Sequence, residues 1–132
     1  MIAVDTNVLV RLLVNDDAAQ SSVARSLFDD AASQGRSIWV GDTVLVELAW
    51  TLSRAYGRSR LDVAKALHAL SGHATVVLES EAAVRAATED FERGPADLAD
   101  CLLCAKAAAA GCEYVATFDR GMKTLPAAKL LG

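Results

Sequence analysis

The sequence predicts an α/β fold, a three-layer α/β/α sandwich around a short, mainly parallel central sheet. Three observations predict it: strand-like and helix-like segments alternate along all 132 residues, the loops between them are short, and the strands are apolar without polar alternation. Such strands are typical of parallel sheets that helices cover on both faces. No linker-like stretch divides the chain, so we expect a single domain over residues 1–132.

The predicted elements follow one another with only a few residues between them. The strands cover residues 2–4, 37–40, 75–78 and 113–116, and 129–131 is a candidate edge strand. Helices are predicted where apolar residues recur every three or four positions. These helices cover residues 6–14, 17–34, 43–56, 61–70, 81–93 and 97–110. Glycines follow several of them and mark their ends: Gly35, Gly57, Gly94 and Gly111.

The charge balance argues against a simple nucleic-acid-coating protein. The formal net charge is −4 and the isoelectric point is about 5.1, whereas nucleic-acid-binding modules are usually basic. An acidic chain is compatible with an enzyme whose acidic site holds a cation that then meets a phosphate. It would also suit a protein that binds a basic partner.

The cysteines and the N-terminus predict the cellular setting. Cys101, Cys104 and Cys112 are odd in number, which argues against a disulfide framework. Cys101 and Cys104 form a C-x-x-C inside an alanine-rich helical stretch without a second ligand pair, so we expect buried packing rather than structural zinc. The apolar N-terminus has no basic region and carries Asp5 and Arg11. We therefore expect a cytoplasmic protein that interacts with no membrane.

Four acidic residues stand in positions that predict chemistry. Asp5 follows the first strand and Asp119 follows the fourth, and ligand sites collect at such strand ends in parallel sheets. Glu47 and Asp100 lie in apolar helical stretches, where an ionised carboxylate is costly without a cation. A basic side chain could serve as that cation, and this structural explanation stays open for each acid alone.

Gathering four carboxylates at one point favours a divalent metal ion. The carboxylates would repel one another and some would take up protons. Magnesium prefers oxygen ligands, and it can activate a water and neutralise charge on a phosphodiester. No serine–histidine–aspartate or cysteine–histidine arrangement and no glycine-rich phosphate loop is apparent.

Three segments carry a resemblance to a known family, which covers nearly the whole chain. They are MIAVDTNVLVRLL with its D-T-N turn, VLVELAWTLSRAYG with a glutamate on a helix, and GPADLADCLLCAKAAAAGCEYVATFDRGM with its final T-F-D. Their order and spacing resemble the PIN-domain family, most of all the toxin ribonucleases of VapBC toxin–antitoxin pairs. Each segment alone is weak, and the combination is specific.

The resemblance implies a role for each of the four acids. Asp5 would be the central metal ligand and Asp100 a second ligand, direct or through water. Asp119 would complete the acidic cluster through water. Glu47 would hold a water on the metal or assist its deprotonation. The metal would be Mg²⁺, with Mn²⁺ as the alternative.

Four further residues resemble the family's supporting positions. Thr6 and Thr117 could orient carboxylates or water, although a helix cap is an equally good interpretation of Thr6. Asn7 would hold the D-T-N turn. Asp97 lies three residues before Asp100 and could share its face of the helix. We favour a helix N-cap for Asp97, with an outer-shell contribution as the alternative.

The resemblance also implies a reaction and partners. The reaction would be hydrolysis of RNA to a 5′-phosphate and a 3′-hydroxyl, with Arg58 and Arg60 as the best candidates for backbone contacts. The partners would be a cognate antitoxin, which inserts a peptide into the acidic groove, and a second copy in a homodimer. Three alternatives remain: a PIN-like nuclease of different specificity, a non-catalytic RNA-binding PIN module, and a receiver-like signalling domain. The last would need a phosphoacceptor aspartate after a middle strand, where this chain has Glu79-Ser80.

Overall fold

The computed structural model describes all residues, 1–132, and its strands and helices alternate as the sequence predicts. The strands are β1 (Ile2–Ala3), β2 (Ile38–Val40), β3 (Val76–Leu78), β4 (Val115–Thr117) and β5 (Ala128–Leu130). The helices are α1 (Thr6–Leu13), α2 (Ala18–Ser33), α3 (Asp42–Arg54), α4 (Arg60–Ser71), α5 (Glu81–Arg93) and α6 (Leu98–Ala109). A short 3₁₀ helix, Arg120–Met122, follows β4 and was not predicted. The α/β fold is confirmed.

All strand pairs are parallel, but they form two sheets. β2 lies between β1 and β3, and its Ile38 is aligned with Ile2 on one side and Val76 on the other. β4 pairs only with β5, where Val115 is aligned with Ala128. The short parallel strands that the sequence predicts thus form a sheet of three and a separate pair, and β1, which has two residues, pairs with β2 alone.

The core forms where the helices pack on these short strands. Ile38 and Val40 of β2 are fully buried, and so are Leu9 of α1 and Leu48 of α3. α1 packs on α2 and α3, α4 packs on α3 and α5, and α5 packs on α6. Burying aliphatic side chains stabilises the fold by roughly 1.5–3 kcal/mol each. This core fixes the relative positions of α1, which Asp5 directly precedes, and of α3 and α6, which carry Glu47 and Asp100.

The end of α6 shows how local sequence directs the chain towards the fourth acid. Gly111 has a φ of +85°, a left-handed conformation that glycine adopts without strain. Its N–H donates to Ala108 at 3.1 Å, and the N–H of Cys112 donates to Ala107 at 2.9 Å. These two bonds form a Schellman motif that ends the helix. The chain then enters β4, after which Asp119 follows.

The C-x-x-C of α6 packs in the core, as predicted. Cys101 is 0 % exposed and Cys104 is 4 % exposed. Burial raises the pKa of the Cys101 thiol to about 12 and also raises the pKa of Cys104. Both sulfurs therefore stay protonated, and a protonated thiol is a poor metal ligand. Of the two tryptophans, Trp39 is half-buried and Trp50 is 63 % exposed.

Candidate active site

Asp5 lies between the first strand and the first helix. It is the N-cap of α1, and its Oδ1 accepts a hydrogen bond from the backbone N–H of Asn7 at 3.1 Å. An N-cap carboxylate satisfies an amide that lacks a partner within the helix. The contact holds the D-T-N turn through the backbone of Asn7. The Asp5 side chain lies at the surface, where a ligand can reach it.

Thr6 connects this turn to the second motif. Its hydroxyl donates to Oε2 of Glu47 at 2.8 Å, across 41 residues of sequence. Thr6 is buried, whereas Glu47 on α3 is exposed. The helix-cap interpretation of Thr6 is therefore wrong, since Asp5 caps α1 and the threonine hydroxyl orients the glutamate. The first and second motifs meet through a direct hydrogen bond.

Three aspartates form a second acidic group at the start of α6 and the end of β4. Burial raises the pKa of Asp100, and the negative charges of Asp119 and Asp97 raise it further. No lysine or arginine forms an ion pair with Asp100. The repulsion between these carboxylates is thus not relieved by the protein itself.

Asp97 occupies the N-cap position of α6, but its side chain accepts no capping hydrogen bond. A residue there would usually cap the helix through its carboxylate. The favoured interpretation of Asp97 as a helix cap holds for its backbone and is wrong for its side chain. Its charge acts on Asp100 instead, which keeps it a candidate for the site.

Asp119 is held by its own loop. Its Oδ1 accepts from the N–H of Gly121 at 2.7 Å and caps the 3₁₀ helix, while its N–H donates to Thr117 Oγ1 at 3.0 Å. Thr117 thus fixes the backbone of Asp119 rather than its carboxylate. A Cβ on Gly121 would lie 3.0 Å from Asp119 Oδ1, so this glycine leaves room for the carboxylate.

An open groove lies between α3 and α6. Glu47 lines it from α3, and Ala99, Leu102 and Lys106 line it from α6, whereas Asp100 does not. However, no three acidic, cysteine or histidine side chains are arranged as a ready metal site. The structure therefore connects Asp5, Thr6 and Glu47 in one group and Asp97, Asp100 and Asp119 in another. The predicted metal-binding cluster of all four acids stays a prediction.

The chemistry of these donors fits a hard divalent cation. Every candidate ligand is a carboxylate, and carboxylate oxygens are what Mg²⁺ and Mn²⁺ prefer. The charges of Asp97 and Asp119 disfavour ionisation of Asp100, and a bound cation would reverse that effect. The residues present are thus suited to the metal that the sequence predicts.

The two arginines predicted to contact RNA differ in their surroundings. Arg58 is exposed in the connection between α3 and α4. Arg60 is half-buried, and its guanidinium donates to the carbonyl oxygens of Phe91, Pro95 and Ala96, each at 2.8 Å. An RNA contact by either arginine stays a prediction, and Arg60 has a structural role that the sequence analysis missed. The sequence feature that indicates this role is Pro95. Proline has no N–H, so the carbonyl oxygen of Phe91 lacks the amide donor that a continuing helix would provide.

Comparison with known proteins shows the family of the chain. The model of the PIN domain matches residues 2–128, nearly the whole chain. The chain belongs to the PIN domain family. This PIN domain is also similar to a VapC ribonuclease from Aquifex aeolicus (strain VF5), with 24 % identity over 121 residues. The match covers 92 % of this chain and 89 % of that protein.

The family and this relative together support a nuclease that hydrolyses phosphodiester bonds. The resemblance that the three motifs predicted is thereby confirmed. None of the six helices of the PIN domain has the length and apolar character needed to cross a bilayer.

Proposed function

We propose that this single-domain chain, residues 1–132, is a metal-dependent endoribonuclease of the cytoplasm and the toxin of a toxin–antitoxin pair. One observation carries the proposal: Asp100 lies among other carboxylates with no basic side chain to offset them. A buried or crowded carboxylate without such a partner lowers stability, so its presence points to a role in function. Membership of the PIN family and the VapC relative support the same conclusion.

In this proposal Asp5 and Asp100 hold the metal, and Asp119 and Asp97 add negative charge around it. The N–H of Asn7 holds the Asp5 carboxylate, and the N–H of Gly121 holds that of Asp119. These backbone contacts restrict rotation of both side chains before any ligand binds, which lowers the entropic cost of binding. A bound Mg²⁺ or Mn²⁺ would supply positive charge for the phosphodiester and make a water more acidic.

Glu47 is the proposed general base. The hydrogen bond from Thr6 fixes one carboxylate oxygen, Oε2, and leaves Oε1 to accept the proton of an attacking water. The water oxygen bonds to phosphorus, and the bond between phosphorus and O3′ breaks. O3′ takes a proton from solvent, so the products carry a 5′-phosphate and a 3′-hydroxyl.

The proposed partners follow from charge and exposed apolar surface. An arginine from a cognate antitoxin would pair with the acids and block both metal and RNA. A homodimer would cover apolar side chains that the single chain leaves exposed, including Trp50 at 63 % and Leu103 at 51 %. Arg58 is exposed and free to contact the RNA backbone, where it would add affinity without sequence preference.

The proposal is tested by incubating the purified chain, free of antitoxin, with total RNA and MgCl₂. Controls are EDTA and Asp5→Asn, which keeps the shape of the side chain and removes its charge. Discrete RNA fragments that disappear in both controls would establish the ribonuclease, and mapping of their ends would identify the target. A folded chain that cleaves DNA instead would indicate a PIN nuclease of different specificity. Binding of RNA without cleavage in Mg²⁺ or Mn²⁺ would indicate a non-catalytic module.

A further inference from the structure

Arg60, at the start of α4, joins that helix to the connection between α5 and α6. Its Nη1 donates to the carbonyl oxygens of Phe91 and Ala96, and its Nη2 donates to that of Pro95. The guanidinium carbon lies 4.3 Å from the centre of the Phe91 ring, in a cation–π contact. These four contacts fall within residues 91–96, the end of α5 and the start of the connection, so Arg60 ties α4 to this segment.

The sequence of α5 explains why an arginine is needed there. In a continuous helix the carbonyl of Phe91 would accept from the amide four residues later, which here is Pro95. Proline has no N–H, so that carbonyl has no helical partner. Because Phe91 is buried, leaving its carbonyl without a donor would be costly. Arg60 supplies the missing donor and satisfies two neighbouring carbonyls as well.

The segment that Arg60 holds leads directly into the second acidic group. Ala96 is 2 % exposed, and the next residue is Asp97. The carbonyl of Asp97 accepts from the N–H groups of Asp100 and Cys101, the first turn of α6. Since Asp97 lacks a side-chain cap, its position depends on the backbone before it. Arg60 therefore fixes the residue from which α6 and its Asp100 begin.

We propose that Arg60 is a positioning residue of the active site, which holds the start of α6 so that Asp97 and Asp100 lie at the correct place. This inference rests on the proposed nuclease function. It differs from the sequence prediction that Arg60 contacts RNA, because three carbonyls and an aromatic ring already engage its guanidinium. Displacement of a catalytic group by about 1 Å can lower a rate by roughly a hundredfold.

The two roles predict different kinetics in the intact chain. Loss of a positioning residue lowers kcat at saturating RNA and leaves KM nearly unchanged. Loss of an RNA contact raises KM and leaves kcat nearly unchanged. We therefore expect Arg60→Met to lower kcat by about tenfold or more. Arg58→Met, the matched loss of a nearby exposed arginine, should raise KM instead.

A third variant separates positioning from general stability. Leu67 is buried in the same helix, seven residues after Arg60, and Leu67→Val removes part of its core contact while leaving Arg60 in place. At equal loss of thermal stability, Leu67→Val should keep the wild-type kcat while Arg60→Met does not. Arg60→Lys can donate to only some of the three carbonyl oxygens, so its kcat should lie between those of Arg60→Met and the wild type. If Arg60→Met does not fold, the comparison of Arg60→Lys with Leu67→Val decides the question.

A readout independent of cleavage is the set of backbone amide chemical shifts. Arg60→Lys should move the amides of residues 94–101, and Arg58→Met should leave them in place. Unchanged kcat with raised KM in both Arg60 variants would overturn the positioning role in favour of an RNA contact. If Leu67→Val loses as much kcat as Arg60→Met, the effect of Arg60 on kcat would come from general stability and not from positioning. If wild type cleaves no RNA while the amide shifts move as expected, the proposed function fails and Arg60 is a structural residue only.

Discussion

Two aspartates near the start of helices, Asp42 in α3 and Asp100 in α6, have opposite electrostatic surroundings. Asp42 is buried, and its Oδ2 accepts from Lys106 Nζ at 2.6 Å and from Ser80 Oγ at 2.8 Å. Asp100 has no such partner, and the charges beside it belong to Asp97 and Asp119. The protein supplies a cation to the first aspartate and further negative charge to the second.

The difference teaches how a structural acid can be told from a functional one. A buried carboxylate that the fold requires is paired and hydrogen-bonded, as Asp42 is through its Oδ2, whereas its buried Oδ1 has no hydrogen-bond partner. One that faces other carboxylates lowers stability unless something outside the chain offsets the charge. The structural explanation left open for every acid in the sequence thus applies to Asp42, which was not among the predicted site residues. It does not apply to Asp100.

The largest difference between the two aspartates should appear in ribonuclease activity when each is changed to asparagine. Asp100→Asn should lower ribonuclease activity by at least about a hundredfold, because a metal ligand contributes several kcal/mol to the transition state. Asp42→Asn, assayed at a temperature where it is folded, should keep most of the activity. Initial rates of cleavage of one labelled RNA measure both. Equal activity of the two variants would remove the distinction between them.

A smaller effect should follow from the contact between Thr6 and Glu47. Thr6→Val keeps the shape of the side chain but removes the donor to Oε2, so Glu47 is no longer fixed. We expect kcat to fall about tenfold, the lower end of the effect of losing a residue that orients a functional group. Thr6→Ser keeps the hydroxyl and should retain most of the rate. A Thr6→Val variant with wild-type kcat would show that the hydrogen bond does not orient the base.

The smallest expected effect is on the stability of the fold. Its sign should be opposite for the two aspartates. Asp42→Asn should lower the free energy of unfolding by about 1–3 kcal/mol, because it weakens charge-assisted hydrogen bonds to a buried group. In EDTA, Asp100→Asn should instead raise the thermal unfolding midpoint at neutral pH, since it removes an unrelieved charge. Thermal unfolding followed by circular dichroism measures both.

The stability gain from Asp100→Asn should depend on pH in a defined direction. The pKa of Asp100 is raised in the folded state, so the folded chain binds the proton more tightly than the unfolded chain does. Stability contributed by this group therefore falls as the pH rises from the unfolded pKa through the folded pKa. The advantage of Asp100→Asn should be full at neutral pH and vanish below the unfolded pKa. A gain that persists at acid pH would contradict this explanation.

The sequence predicted the elements well because their signals are local. Apolar runs predicted the strands, and α5 begins and ends where its periodicity predicted. The start of α3 was predicted at residue 43, whereas the helix begins at Asp42 after the N-cap Gly41, and the Asp42 carboxylate bonds Ser80 and Lys106. A local capping pattern gives no information about a lysine 64 residues away.

The site was predictable in its residues and not in its contacts. The positions of Asp5 and Asp119 after apolar strands could be derived from the sequence, and family resemblance added their roles. The bond between Thr6 and Glu47 spans 41 residues, and the link of Arg60 to the α5–α6 connection spans more than 30. Such pairings depend on how helices pack, which hydrophobic periodicity does not specify.

The central claim is that the acids around Asp100 bind a divalent cation, and titration calorimetry with Mn²⁺ on the metal-free chain tests it most directly. The wild type and Asp42→Asn should both bind Mn²⁺, and Asp100→Asn and Asp5→Asn should lose most of that binding. Loss in these two variants alone would show that the unpaired carboxylates form the metal site. A folded wild type that binds no Mn²⁺, or an Asp100→Asn variant that binds it equally well, would contradict the claim.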